Sequence, residues 1–181
     1  MLKSLWTSIG NYILKREAAT VSRSRAMVNL AHAKSIGILY PLFTLPDYND
    51  IELFVTELQK GHKDVKALGY LQHKDMVTRF LPKLSYDFFS HQDLNWYHKP
   101  VNAKVNDFIY TEFDLLIDLT MEDNLPLRFI AGLSRARCKV GRYKDGNNRY
   151  YDLMIKVDGP LRLPDFIEQI RHYLTIIQQH E

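Results

Sequence analysis

A chain of 181 residues, 46% hydrophobic and 25% charged, has enough apolar material for one folded domain, and its eleven Tyr and nine Phe exclude a disordered protein. A single cysteine, Cys138, excludes an internal disulfide and a cysteine-based zinc centre. No apolar run approaches the roughly 18 residues that span a bilayer, and the first apolar residues are periodic rather than contiguous as in a secretory signal, so a cytoplasmic location is expected.

The net charge is only +3, but it is unevenly spread. Residues 1–34 carry Lys3, Lys15, Arg16, Arg23, Arg25 and Lys34 against Glu17 alone. This stretch reads as a basic helical arm, with residues 35–181 as a single α/β domain. Within the arm, Leu2, Leu5, Trp6, Ile9, Tyr12 and Ile13 fall in an arc of roughly 120° at 100° per residue, the pattern of an amphipathic helix. A second, more polar helix is expected over residues 18–33.

The body opens with SIGILYPL, an apolar run that reads as a buried strand from Ser35. Asn49 is positioned to cap the next helix with Glu52, and Gly61 to end it. Strands are expected at Val65–Leu71 and Leu84–Phe89, with a polar connection at His73, Lys74 and Asp75 between them. A helix is expected over Val101–Tyr110 and the most apolar strand at Phe113–Leu119. Asn124 caps the helix that follows, where Pro126 sits in a first turn whose N–H groups lack partners anyway. The next strand runs Cys138–Tyr143. Asp145-Gly146-Asn147-Asn148 then reads as a hairpin turn into an antiparallel strand, Tyr151–Val157. After a break at Gly159-Pro160, Phe166, Ile167, Ile170, Tyr173, Leu174 and Ile177 mark a last helix. This alternation predicts a Rossmann-like, three-layer α/β sandwich: a mostly parallel sheet of five or six strands, its C-terminal hairpin antiparallel, with an N-terminal helical arm.

In such a sheet ligands sit beyond the carboxyl ends of the strands. The chain contains neither GxGxxG nor GxxxxGK[ST], so a nucleotide cofactor held in the usual way is not expected, nor is any other cofactor. GxSxG is missing too, which removes a common hydrolase signature. Asp118, ending a buried strand, and Glu122 in the following turn are candidate acid–base groups; alternatively Asp118 accepts backbone N–H bonds of that turn. His91, Asp93 and His98 follow an HxDx4H spacing that matches no common zinc pattern and would need His73 as well, so no metal is expected. Cys138 reads as a buried thiol.

A second basic cluster, Arg135, Arg137, Lys139, Arg142, Lys144 and Arg149, is opposed only by Asp145. Beside Tyr143 and Tyr150 it suits single-stranded RNA, or simply protects an edge hairpin by charge. The arm admits three readings: docking on the body, lying on an anionic membrane through residues 1–17, or binding a partner protein or RNA.

Asn95-Trp96, Lys99-Pro100, Phe113–Leu119, Leu125-Pro126-Leu127, Ala136–Gly141 and Tyr151–Ile155 together resemble an uncharacterised bacterial (Bacteroidota-type) family of unknown function. That resemblance implies a small α/β fold and no assigned activity. Two functions are carried forward. In the first, a non-catalytic binding or adaptor protein presents Lys3, Lys15, Arg16, Arg23, Arg25, Arg135, Arg137, Lys139 and Arg142 to RNA or a larger assembly. In the alternative, a small enzyme works at Asp118, Glu122, His91 and His98.

Overall fold

The computed structural model describes residues 2–42, 44–72, 84–157 and 162–177. The expected polar connection at His73–Asp75 and the break at Gly159-Pro160 lie outside the described residues. Among those described, six strands form one parallel sheet: β1 (Ser35–Leu42), β2 (Asp64–Leu71), β3 (Tyr86–Ser90), β4 (Leu115–Asp118), β5 (Cys138–Arg142) and β6 (Leu153–Ile155). Five helices accompany them: α1 (Leu2–Ala19), α2 (Leu45–Lys60), α3 (Ala103–Tyr110), α4 (Leu125–Leu133) and α5 (Leu163–Ile176). None is long and apolar enough to cross a membrane.

The strand order is β3-β2-β1-β4-β5-β6, so it reverses direction between β1 and β4. One face of the sheet buries Ile36, Ile38, Tyr40, Leu115, Ile117 and Val140 against α2 and α5. The other buries Leu39, Leu68 and Leu116 against Val105 and Phe108 of α3 and Leu127, Ile130 and Ala131 of α4. With both faces covered, β1 and β4 need no polar positions, which is why they read as continuous apolar runs.

The helix starts follow local chemistry. Asn124 accepts the Leu127 N–H at 3.2 Å and Asn102 accepts the Val105 N–H at 2.9 Å. Helix α2 begins four residues before the expected Asn49 cap. Thr44 caps it instead by accepting the Asp47 N–H, with Pro46 in the first turn. Gly61 ends it as expected.

Residues 21–29 form no helix. They run extended over the body: the Ala26 N–H donates to the Arg137 carbonyl at 3.1 Å, and the Asn29 amide donates to the Thr175 and Ile177 carbonyls at the end of α5. Those long-range partners replace the intrahelical bonds that a polar segment with four apolar residues could not have stabilised by packing.

The antiparallel C-terminal hairpin is not formed. β6 pairs with β5 in parallel, Val140 opposite Leu153 and Arg142 opposite Ile155. After the turn at Gly146 the chain doubles back along the face of β5 instead of beside it. Tyr150 is buried with Leu14, Leu125 and Phe129. Tyr151 lies over Gly141, where even a Cβ would come within 2.6 Å of its ring. Asp152 is pinned at the start of β5, its carboxylate accepting the Lys139 N–H at 2.8 Å and its own N–H donating to the Lys139 carbonyl at 2.8 Å. The chain therefore re-enters the sheet at the end where β5 began.

Helix α1 packs on α4 through reciprocal notches. Leu14, fully buried, fills the space left by Gly132 of α4, and Leu125 of α4 fills that left by Gly10 of α1. The packing direction is turned roughly 120° from the middle of the predicted apolar arc, taking 100° per residue. The contact at Gly10 tests which effect dominates in this helix. Helix propensity favours Ala over Gly by about 1 kcal/mol, but a Cβ at Gly10 would meet the Tyr97 carbonyl oxygen at 2.4 Å. Backbone cannot yield as a side-chain tip can, so Gly10→Ala should lose roughly 1–3 kcal/mol net in urea unfolding. A gain would show that α1 does not depend on this approach.

Candidate functional site

Beyond the carboxyl ends of β4 and β5 lies a cleft of about 440 Å³. Its walls are the turn Thr120–Asn124, Arg128 of α4, Arg142 at the end of β5, and Tyr143, Lys144 and Asn147 from the β5–β6 connection. Asp118 and Tyr151 line it as well. The Asp118 residue is 2% exposed. Its carboxylate accepts the Tyr151 hydroxyl at 2.6 Å, the Thr120 N–H at 2.9 Å and the Thr120 hydroxyl. Burial raises the Asp118 pKa above the ordinary carboxylate value, outweighing the hydrogen bonds from Thr120 and Tyr151 that favour the ionised form. Burial, with Asp118 next to it, pushes the Tyr151 hydroxyl well up.

The cations of the cleft are held by local partners. Arg128 donates to Asp123 and to the Asn11 side chain of α1, Lys144 pairs with Asp123 at 2.7 Å, and Arg142 donates to the Met121 carbonyl. Burial works against the Asp123 carboxylate, but Lys144 and Arg128 hold its pKa below the usual range. Glu122 is exposed on the rim.

The sequence candidates are only partly brought together. Asp118 and Glu122 line the cleft, but His91 and His98, in the segment after β3, are not among its lining residues. Asp93 between them is committed to a capping box, accepting the Ser90 N–H at 2.7 Å. No group of three or more His, Cys, Asp or Glu suited to a metal occurs among the described residues, which do not include His73.

The basic cluster is divided along β5. Arg135 and Arg137 stand at one end, Arg137 paired with Asp114 at 3.2 Å; Arg142 and Lys144 stand at the other, roughly 16 Å away at 3.3 Å per residue. Between them Lys139 is buried, 2% exposed, its ammonium donating to the Gly132 carbonyl at 3.2 Å. β5 is an interior strand, so side-chain alternation carries Lys139 into the α4 layer instead of into water. In the arm, Arg23 is also internal: its guanidinium donates to the Ala136 and Arg137 carbonyls and pairs with Asp152 at 2.7 Å. Lys15, Arg16, Arg25 and Arg135 are exposed. Cys138 is a buried thiol whose pKa burial raises.

The expectation that Asp118 accepts a backbone N–H of the following turn is met at Thr120, whereas Tyr151 and Arg128 were missed as its neighbours. The Asp118-Leu119-Thr120 spacing carried a local signal, since Asp commonly bonds the backbone N–H two residues on. Nothing local pointed to Tyr151, thirty-three positions away.

A profile of related sequences, described as a family of unknown function (DUF6913), matches residues 7–177. The chain belongs to this family. Neither the curated proteins nor the solved structures give a match. The DUF6913 profile takes in α1 from residue 7 together with every strand of the sheet, so the residues that pack α1 onto α4 and those that line the cleft fall within one family unit.

Lys139 gives this family member a defined pH response. Burial, with Arg23 nearby, lowers its pKa from 10.5 to about 7, against the opposing pull of Asp152. The neutral amine is favoured in the folded state, so the associated stability is complete above the unfolded value of 10.5 and is lost as pH falls through about 7. Lys139→Met should therefore raise stability at pH 6 by on the order of 1–3 kcal/mol, the advantage shrinking toward pH 10 in parallel urea titrations. An advantage independent of pH would show that the amine is not strained by burial.

Proposed function

We propose that this DUF6913 protein binds a small polar ligand bearing an anionic group, a phosphate or a carboxylate, in the cleft beyond β4 and β5. The observation that carries this reading is the buried Asp118 carboxyl at the floor of an open cleft of about 440 Å³. A domain built only for stability has little reason to hold a raised-pKa carboxyl at such a place. The volume is in the range of small-molecule sites. The order 3-2-1-4-5-6 is that of Rossmann-like doubly wound sheets, which bind ligands outside the carboxyl ends of their strands. In this reading Arg142 and Lys144 take the anionic group, and Asp118 with Tyr151 takes a hydroxyl or amine at the floor.

The test is ligand-induced thermal stabilisation against inorganic phosphate, simple di- and tricarboxylates, sugar phosphates and nucleoside monophosphates. At a hundredfold excess over Kd a true ligand should raise the melting temperature by roughly 5–10 °C. Arg142→Ala should remove the shift, while Arg149→Ala, on the same connection but outside the cleft lining, should keep it. No shift across the set, or one that survives Arg142→Ala, would remove the cleft as the binding site.

A second reading, that the cleft is catalytic, rests on the Asp118–Tyr151 hydrogen bond, which places a raised carboxyl and a phenol at one point for proton transfer. With a ligand in hand, Asp118→Asn should then bind it within about tenfold of the parent and fail to convert it. Parallel loss of binding and turnover would leave Asp118 a positioning group.

A further inference from the structure

We propose that the outward face of α1 is a docking surface for an anionic lipid membrane, with the helix lying flat on it. Because α1 packs on α4 through Gly10 and Leu14, most of its apolar arc points away from the body. Leu5 is 55% exposed, Trp6 38% and Tyr12 62%. Ile9 and Ile13 are half-buried between these and the packing face. The loop beside α1 carries a further exposed aromatic side chain. The Tyr97 carbonyl backs onto Gly10, the Tyr97 ring meets Trp96 edge to face with centroids 5.0 Å apart, and Trp96 itself is 57% exposed.

Charge decides the occupant. Lys15 and Arg16 are exposed, and Arg16 follows Tyr12 by one helical turn on the apolar face. The one acidic side chain in the first 46 residues, Glu17, is neutralised by Lys99 at 2.6 Å. Acidic headgroups complement Lys15 and Arg16. Exposed Trp and Tyr, apolar in body and polar at one edge, suit the headgroup boundary. At 1.5 Å per residue, the 18-residue helix offers roughly 27 Å of contact. Two basic residues give reversible binding, each strengthening attachment to an anionic surface by about fivefold.

The experiment is co-sedimentation of the full chain with vesicles of phosphatidylcholine alone and with vesicles containing about one third phosphatidylglycerol. The expected result is binding to the anionic vesicles, little to the neutral ones, and weakening as salt rises. Lys15→Gln with Arg16→Gln should reduce binding roughly 25-fold. Leu5→Ser with Trp6→Ser should abolish it. Both double variants should keep the parent melting temperature, because Gly10 and Leu14, which hold α1 to the body, are unchanged. Equal binding to neutral vesicles, no binding to either kind, or unaltered binding by the variants would overturn the proposal. So would a dimer in light scattering that the Leu5/Trp6 variant dissociates, or a single-stranded RNA that binds in place of vesicles and is released by the Lys15/Arg16 variant.

Discussion

The ion pair between Arg23 and Asp152 ties together parts of the molecule that local sequence cannot. Its two side chains are 5% and 14% exposed, so neither charge is well solvated. Each has further partners: Arg23 the carbonyls of Ala136 and Arg137, Asp152 the backbone of Lys139. A buried pair is seldom a large net source of stability, but breaking one leaves a stranded charge, and that makes the arrangement specific. Here the specificity fixes direction. Asp152 must sit beside the start of β5, so β6 must run parallel to it. The residue before, Tyr151, must then cross Gly141 and reach Asp118. The floor of the cleft is set by a contact at the opposite end of the strand.

Helix α4 is the second organising element. Apart from Arg128 its sequence, LPLRFIAGL, is apolar all round, which in a soluble domain demands cover on two sides. The sheet covers Leu127, Ile130 and Ala131, and α1 with Tyr150 covers Leu125 and Phe129. Arg128, the exception, points along the helix toward the cleft and the Asn11 side chain of α1. One helix thus separates the main core from the interface with α1 and contributes a cation to the cleft.

Much of this could be read from the chain. The buried strands at Ser35, Val65 and Leu115 announced themselves by apolar runs, and Asn124 with Pro126 marked the start of α4 by capping chemistry alone. Asp118 was recognisable as a strand-end carboxyl. Apart from the cap of α2, which is local and falls at Thr44 and not at Asn49, the errors share a cause: each concerned a contact between distant residues. The Asp145–Asn148 turn does reverse the chain, but a turn says nothing about whether the chain then lies beside the strand or across its face. Tyr151 over Gly141 decides that. The apolar arc of α1 was visible, yet its orientation was set by the two small residues Gly10 and Gly132, because close backbone approach outweighed area. Lys139 was read as part of a basic edge hairpin, but β5 lies inside a sheet covered on both faces.

Arg23 and Asp152 are 129 positions apart, and the floor of the cleft depends on their meeting. Closing so long a loop is entropically unfavourable until the intervening strands have collapsed, so the neighbouring pairs β1–β2 and β4–β5 can assemble well before it. The β5–β6 pairing joins residues that are closer still in sequence, so the late step is the Arg23–Asp152 contact itself, which fixes Asp152 and with it Tyr151 at the floor of the cleft. A nascent or partly unfolded chain would hold most of its core while lacking any enclosed space at Asp118. Competence at the cleft would therefore report on the finished fold, not on the presence of the sheet.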